Sequence, residues 1–367
     1  MFGLAKQKYT RALAAQAANI GTLLRFAGLN LCSHSRKSDM PQHIAANDPR
    51  LTWSGTISTE VSNEWFMPWR IEHEERDLYD SELALRGAMA AGVRVTFQSN
   101  TTAIEGTCNL FEERGQIDLV VDDKLVASVN LANQSSFQFE NLVVGNKNIE
   151  LWLPQLGQTR LSGLGIDVEA DIFATPESTA KKWITYGSSI SQCSAADSPT
   201  KTWPAIVART RGYDLTCLGF GGQCHLDPMI ARMIRDREAD LISMCLGINI
   251  YGSGSLNERT FYPGILGFVQ IVREKHPTTP IVLISPIYSP ERETELNAVG
   301  FSLRHMRDEV KRAYETLKAH GDENISYING LDVFDSDNAH LLPDDLHPNN
   351  EGYGIMADNL LGLLPKI

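Results

Sequence analysis

Between about residues 52 and 173 apolar side chains recur at every second position, the period of a strand with one buried face. The segment GVRVTF (92–97) alternates Val93, Val95 and Phe97 against Arg94 and Thr96, and NIELWLP alternates again before Pro154. IDLVVDDKLVASVNL sets Asp122 and Asp123 between two apolar runs, the pattern of a hairpin turn. Short alternating strands broken by Asn, Asp and Gly turns predict an antiparallel β-sandwich, jelly-roll-like in outline.

The periodicity changes after STAKK (178–182), which follows Pro176 and reads as a linker. Apolar strand candidates Trp183–Tyr186, Tyr213–Leu218, Leu241–Leu246, Ile281–Ser285 and Ile325–Ile328 now alternate with helix-like segments. These segments include TWPAIVARTR, DPMIARMIRDRE, YPGILGFVQIVREKH and SLRHMRDEVKRAYETLKAHG, and NNEGYGIMADNLLGLL closes the chain. Such alternation predicts a five-stranded parallel sheet covered by helices on both faces. The expected organisation is a helical extension over 1–45, a β-sandwich over 46–173, a linker over 174–182 and an α/β domain over 183–367. No internal repeat or low-complexity tract interrupts it.

The bulk composition narrows the partners. A chain of 367 residues, 43% hydrophobic and 21% charged, is large enough for two domains, each with its own core. A net charge of −12 argues against nucleic acid or an anionic membrane as the main partner, because phosphate binding needs a cationic surface. Cys32, Cys108, Cys193, Cys217, Cys224 and Cys245 show no CxxC pair and no His/Cys ligand spacing. They read as buried reduced thiols, which fits a reducing, cytoplasmic compartment and leaves no structural zinc site. The first 38 residues carry several Lys and Arg and no acidic residue. Their apolar runs are too short for a secretory core or a membrane span. An amphipathic helix packed on the body is the preferred reading; an organellar transit peptide shares the same basic, acid-free character.

Candidate chemistry lies where the predicted strands end. In parallel α/β sheets functional groups gather at the carboxyl ends of the strands. The first strand ends at Gly187-Ser188-Ser189, the second at LGFGGQCHLDP, the third at LGINIYG with Asn249. LLPDDLHPNN places Asp344 and His347 just before the final helix. A hydroxyl needs a base to become a nucleophile, and an imidazole needs a carboxylate to fix its tautomer. At i and i+3, Asp344 can fold back onto the His347 ring; Asp345, one residue nearer, competes for that role. A strand-end glycine N–H and the Asn249 side-chain amide can supply donors to an oxyanion. From these residues alone, either Ser188 or Ser189 fits the nucleophile.

Together the four blocks resemble the SGNH (GDSL-type) hydrolase superfamily. GSSI stands where the family has G-D-S-L, GFGG resembles the second block, LGIN the third and DDLHP the last. The resemblance covers the C-terminal half and implies a flavodoxin-like, three-layer α/β/α fold with no metal and no cofactor. It implies Ser189 as nucleophile, His347 as base, Asp344 as its orienter, and an oxyanion hole made by Ser189 N–H, Gly222 N–H and Asn249. Ser188 stands in place of the family's Asp, and Ile250 in place of the Asp that often follows the Asn. Ser188, Ile250 and His225, which follows the glycine loop, are expected to contribute to the substrate pocket.

The rival motifs are missing: the chain holds no G-x-S-x-G elbow, and GFGGQC is neither a dinucleotide nor a P-loop fingerprint. His340 is a nearby rival base, but it has no carboxylate three residues ahead at a loop-to-helix junction, as His347 does. Cys193 and Cys224 fit the pocket wall rather than a catalytic thiol, and Asp227-Pro228 reads as the start of a helix. The expected activity is a serine esterase acting on a small-molecule or glycan acyl ester. The alternatives are an acyltransferase to an alcohol of a sugar or secondary metabolite, as in some proteins that join a sandwich to such a domain, and a glycan-binding protein with a degenerate hydrolase domain.

Overall fold

The computed structural model describes residues 41–113 and 115–367. The expected helix over the N-terminal extension and the transit-peptide reading lie outside the described residues, apart from residues 41–45. In chain order the first twelve strands among the described residues are β1 (Gln42–Ala45), β2 (Thr52–Ser54), β3 (Ser58–Val61), β4 (Phe66–Trp69), β5 (Arg94–Ser99), β6 (Ile104–Cys108), β7 (Gln116–Val121), β8 (Lys124–Asn130), β9 (Ser136–Phe139), β10 (Lys147–Trp152), β11 (Leu161–Ile166) and β12 (Ile172–Phe173), with α1 (Ser81–Gly87) between β4 and β5. They form two six-stranded antiparallel sheets. One runs β3-β4-β11-β6-β9 with β1 added to β11; the other runs β12-β5-β10-β7-β8 with β2 added to β5. The alternating residues do what their period requires: Val93, Val95, Phe97, Ile149 and Leu151 from one sheet meet Ile104, Phe137 and Leu164 from the other in a common core. Asp122 and Asp123 have φ of 45° and 64°, and Val121 pairs with Lys124 across them. That is a two-residue hairpin turn with both central residues at positive φ. Gln42–Ala45, expected within the helical extension, are instead a strand, because Ile44 belongs to the sandwich core while its neighbours face outward.

The C-terminal half contains β13 (Lys182–Gly187), β14 (Asp214–Gly219), β15 (Leu241–Cys245), β16 (Ile281–Ile284) and β17 (Ile325–Ile328) in one parallel sheet of order β14-β13-β15-β16-β17. The helices are α2 (Ser189–Gln192), α3 (Trp203–Arg211), α4 (Pro228–Arg235), α5 (Ile248–Ser253), α6 (Glu258–Arg273), α7 (Leu303–Ala319), α8 (Gly330–Val333) and α9 (Asn350–Leu363). Ile230 of α4, Phe261 of α6 and Val310 of α7 pack on one face of the sheet. Trp203 of α3 and Tyr353 and Leu360 of α9 pack on the other. The strand order is the flavodoxin-like 2-1-3-4-5, whose crevice opens beyond the carboxyl ends of the central strands where the winding reverses. Here that point lies around β13, between β14 and β15. Capping explains the helix limits locally: Thr202 accepts from Ala205 N–H before α3, and Gly212 ends it at φ 66°. No helix among the described residues is long and apolar enough to cross a membrane.

The sandwich and the α/β layers share core and buried polar contacts. Met67, Trp69 and Ile71 pack with Ile184, Leu218 and Phe220. Arg94 meets Asp214 at 2.5 Å, and the buried Asp118 carboxylate accepts from Thr200 N–H at 3.0 Å and its hydroxyl at 2.5 Å.

Candidate active site

β13 ends at Gly187, and the chain turns at once into the four-residue helix α2, whose first residue is Ser189. Ser188 is the N-cap: its Oγ accepts from Ile190 N–H at 3.1 Å. The cap role falls to Ser188, and the Ser189 hydroxyl is free of it. Ser189 Oγ lies 2.8 Å from His347 Nε2, and His347 Nδ1 lies 2.6 Å from Asp344 Oδ2. The other Asp344 oxygen accepts from His347 N–H at 2.7 Å and Leu346 N–H at 3.1 Å. This wrap is possible because Asp345 adopts φ 58°, which tightens the turn until both N–H groups face back to Asp344. Asp345 is thus the hinge of the turn, and its carbonyl accepts from Ser289 and Arg292. Burial raises the Asp344 pKa, but the hydrogen bonds from the His347 ring and the two N–H groups outweigh it and hold the carboxyl below its ordinary value of 3.8. An ionised carboxylate can only accept, so Nδ1 carries the proton and Nε2 faces the serine as an acceptor.

Opposite this pair lies the loop after β14. A Cβ on Gly219 would stand 2.2 Å from Gln192 N, so only glycine lets α2 seat against the strand end. Gly222 has φ 75°, and its N–H makes no hydrogen bond within the described residues. Asn249, in the first turn of α5, accepts from Cys224 N–H through Oδ1 at 3.0 Å. That bond fixes the amide's orientation and leaves Nδ2 as the unused donor. Ser189 N–H, at the start of a helix, also has no intrahelical partner. His225 bridges Gly222 O at 2.9 Å and Ser255 Oγ at 2.8 Å.

Two further side chains, Arg70 and Gln192, hold the glycine loop, and a third, Gln155, braces Gln192; the sequence analysis did not single them out. Arg70, fully buried at the end of β4, donates to Cys217 O (3.0 Å), Gly219 O (2.6 Å), Met89 O (2.6 Å) and Arg86 O (2.6 Å). Its guanidinium also sits over the Phe220 ring, 5.0 Å from the centroid. Burial lowers its pKa to about 10, which leaves it protonated at neutral pH. Gln192 accepts from Gly221 N–H at 2.8 Å and donates to Gln155 O at 2.9 Å. Gln155 in turn donates to Ala196 O at 2.9 Å. Arg70 and Gln155 belong to the sandwich half, so the oxyanion-side loop is gripped from outside its own sheet by Arg70 and braced through Gln192 by Gln155. No local pattern marks them; the signal available was an arginine inside the otherwise apolar run FMPWRI.

The remaining expected residues divide. Ser188 is buried as a cap, while His225 contacts the glycine loop itself. Ile250 is fully buried in the core and corrects the expectation of a pocket-facing role: the first turn of α5 points Asn249 and Ile250 about 100° apart, so one faces the site and the other the sheet. His340 Nδ1 lies 3.1 Å from Asp337 O, away from the serine. Cys193, Cys217 and Cys224 are buried and unpaired, and burial pushes their thiols up, away from the thiolate a nucleophile requires. Asp227 heads α4 without a side-chain cap bond, and Pro228 takes the first helical position.

Comparison with known proteins places this geometry. Residues 180–364 match the family model of the GDSL-like lipase/acylhydrolase family, and residues 51–162 match the model of the SsfX3 N-terminal domain. No curated protein sequence matches the chain. Among solved structures, the salicylyl-acyltransferase SsfX3 from a tetracycline biosynthetic pathway is 33% identical over 90% of this chain and 99% of its own, with a TM-score of 0.82. A putative GDSL-like lipase from Bacteroides ovatus shares the fold at 21% identity, covering 86% of this chain and 95% of its own, with a TM-score of 0.72. A family two carbohydrate esterase from Clostridium thermocellum does so at 14% identity, covering 86% and 98%, with a TM-score of 0.63. With that family model spanning just over half of its length, the chain belongs to the GDSL-like lipase/acylhydrolase family.

Proposed function

We propose that the protein is a serine esterase that cleaves an O-acyl ester through an acyl-Ser189 intermediate. The observation that carries this reading is the continuous bond from Ser189 Oγ to His347 Nε2 at 2.8 Å and from Nδ1 to Asp344 at 2.6 Å. In this reading Ser189 Oγ attacks the acyl carbon while its proton passes to His347 Nε2. Asp344 balances the imidazolium. The oxyanion receives hydrogen bonds from Ser189 N–H, Gly222 N–H and Asn249 Nδ2, three groups without other partners among the described residues. Collapse expels the alcohol, which takes the proton from Nε2. Water, deprotonated by the same nitrogen, then releases the acid and restores the serine. The chemistry is assigned to residues 183–367 and a supporting role to 46–173. The substrate is taken to be a small-molecule or glycan acyl ester, and the setting the cytoplasm.

A second reading keeps the same acyl-enzyme and replaces water by an acceptor alcohol. It is favoured by the 33% identity to an acyltransferase along 90% of the chain. A partition experiment separates the two: with a short acyl ester as donor and excess alcohol or sugar, an esterase yields the free acid as the main product and a transferase the new ester. The non-enzymatic alternative is a degenerate, glycan-binding domain, and the aligned serine, imidazole and carboxylate weigh against it. Covalent labelling of Ser189 by a fluorophosphonate is the expected result; no labelling of the folded protein would sink the esterase reading.

A further inference from the structure

The donor assigned to Gly222 belongs to a peptide that nothing grips directly. Gly221 and Gly222 both lack Cβ, so the peptide between them can shift at little steric cost. Packing does not fix it: a Cβ built on Gly222 would meet no atom within 4 Å. Neither Gly221 O nor Gly222 N–H has a hydrogen-bond partner among the described residues. The two flanking peptides are held instead. Ahead of it, Gly221 N–H donates to Gln192 at 2.8 Å. Behind it, Gln223 N–H donates to Phe220 O at 2.9 Å, and Gly222 O lies 2.9 Å from His225 Nε2.

The His225 ring is itself placed from several sides. A carbonyl oxygen only accepts, so Nε2 carries the proton; in the neutral ring Nδ1 then accepts from the Ser255 hydroxyl at 2.8 Å. Ser255 follows α5 across Gly254, whose φ of 61° ends the helix and redirects the chain. Ser255 N–H donates to Ser253 Oγ at 3.2 Å, and Ser253 Oγ donates to Asn249 O at 2.9 Å. The backbone on both sides of His225 is anchored too. Cys224 N–H donates to Asn249 Oδ1 at 3.0 Å, and Leu226 N–H donates to the hydroxyl of the buried Tyr186 at 3.1 Å. Leu226 holds φ 63°, a strained value for a residue with a side chain. His225 thus ties the carbonyl of one oxyanion glycine to the segment that carries the oxyanion asparagine.

We propose that His225 is a positioning residue for the oxyanion hole: through Gly222 O it sets where the Gly222 N–H stands, and through Ser255 it refers that place to α5 and Asn249. The inference rests on the acyl-Ser189 reading and adds to it the group that sets the spacing of two of its donors. The test uses the full chain, a short acyl ester, and a short alkyl trifluoromethyl ketone, whose adduct with Ser189 puts an oxyanion among the same donors. His225→Ala should lower kcat on the order of 10- to 100-fold with KM little changed, and should weaken ketone inhibition by a similar factor. His225→Gln, which keeps an N–H donor at about the reach of Nε2, should recover much of both losses. Ser255→Ala should act in the same direction by about 3- to 10-fold, and adding it to His225→Ala should cost nothing more, because its hydroxyl acts only through the ring. The unfolding midpoint should stay nearly constant in the single variants, since both ring bonds lie at the exposed surface.

A raised KM with kcat and ketone inhibition unchanged overturns the proposal and makes His225 a substrate contact. Losses that add in the double variant, or full kcat in His225→Ala, overturn it as well. A fluorophosphonate on the wild-type protein separates the failures. Labelling of Ser189 with an unaltered His225→Ala removes only the positioning role, and no labelling removes the acyl-Ser189 reading with it.

Discussion

The two sides of the site are built in different ways. On the serine and histidine side the supporting contacts are local: Ser188 caps a residue two positions on, and Asp344 holds a ring and an N–H three positions on. On the glycine side they are long-range: Arg70 reaches a carbonyl 149 residues away, Gln192 an N–H 29 away and Asn249 an N–H 25 away. The local side needs only its own loop to form. The Arg70 contact on the glycine side also needs the sandwich folded and seated against the sheet. Chemistry and architecture are thus separable by substitution.

The sharpest separation should come from the serines. Ser189→Ala is expected to lower turnover of a short acyl ester by about 10⁴-fold or more, with the unfolding midpoint nearly unchanged. Ser188→Ala removes a cap, costing about 1 kcal/mol of stability, while most turnover survives. Activity lost with Ser188 and kept without Ser189 would reverse the assignment. Next in size is Asn249→Ala, which should cost roughly 10²- to 10³-fold in kcat, as removal of one oxyanion donor does. An effect confined to KM would mean that Asn249 binds substrate rather than the developing charge.

Arg70→Lys tests the long-range side itself. Lysine cannot span four carbonyls, so buried acceptors lose donors and stability should fall by roughly 1–3 kcal/mol. If Arg70 positions the glycine loop, kcat should also fall on the order of 10- to 100-fold with KM little changed, the signature of a displaced oxyanion donor. Lower stability with full kcat would show that Arg70 holds the two halves together and nothing more.

The same division decides what could be read before the structure. The strand period gave the sandwich and the β-α alternation gave the sheet, because both report burial of one face along a short window. The catalytic-side candidates were legible because their spacing is local: G-S-S at a strand end and D-x-x-H before a helix. Strand ends shifted by about one residue, since pairing with neighbours, not hydropathy, ends a strand. The placing of Ile250 in the pocket fails because the chain turns into a helix at Ile248, and a helical turn sends adjacent residues to different faces. Arg70 and Gln192 were invisible, as their partners lie on other elements and an arginine in an apolar run carries no address.

The smallest expected effect concerns the local side and pH. Hydrogen bonds hold the Asp344 carboxyl below 3.8 despite the burial that opposes them. A folded-state pKa below the unfolded one favours the folded protein above the unfolded value, and that contribution disappears as pH falls through the depressed value. Asp344 is 54% exposed at its side chain, so solvent screening keeps the term small, under about 1 kcal/mol. Asp344→Asn removes the titration while keeping an oxygen for the His347 and Leu346 N–H groups. The stability gap between wild type and this variant should therefore be constant above about pH 5 and close below about pH 4, as followed by urea midpoints. Its activity should already be lost at neutral pH, because an amide N–H facing Nδ1 leaves the proton on Nε2, where the serine needs an acceptor. A gap that widened on acidification would show that the carboxyl is raised in the folded state, and would make burial, not the turn, the dominant influence on Asp344.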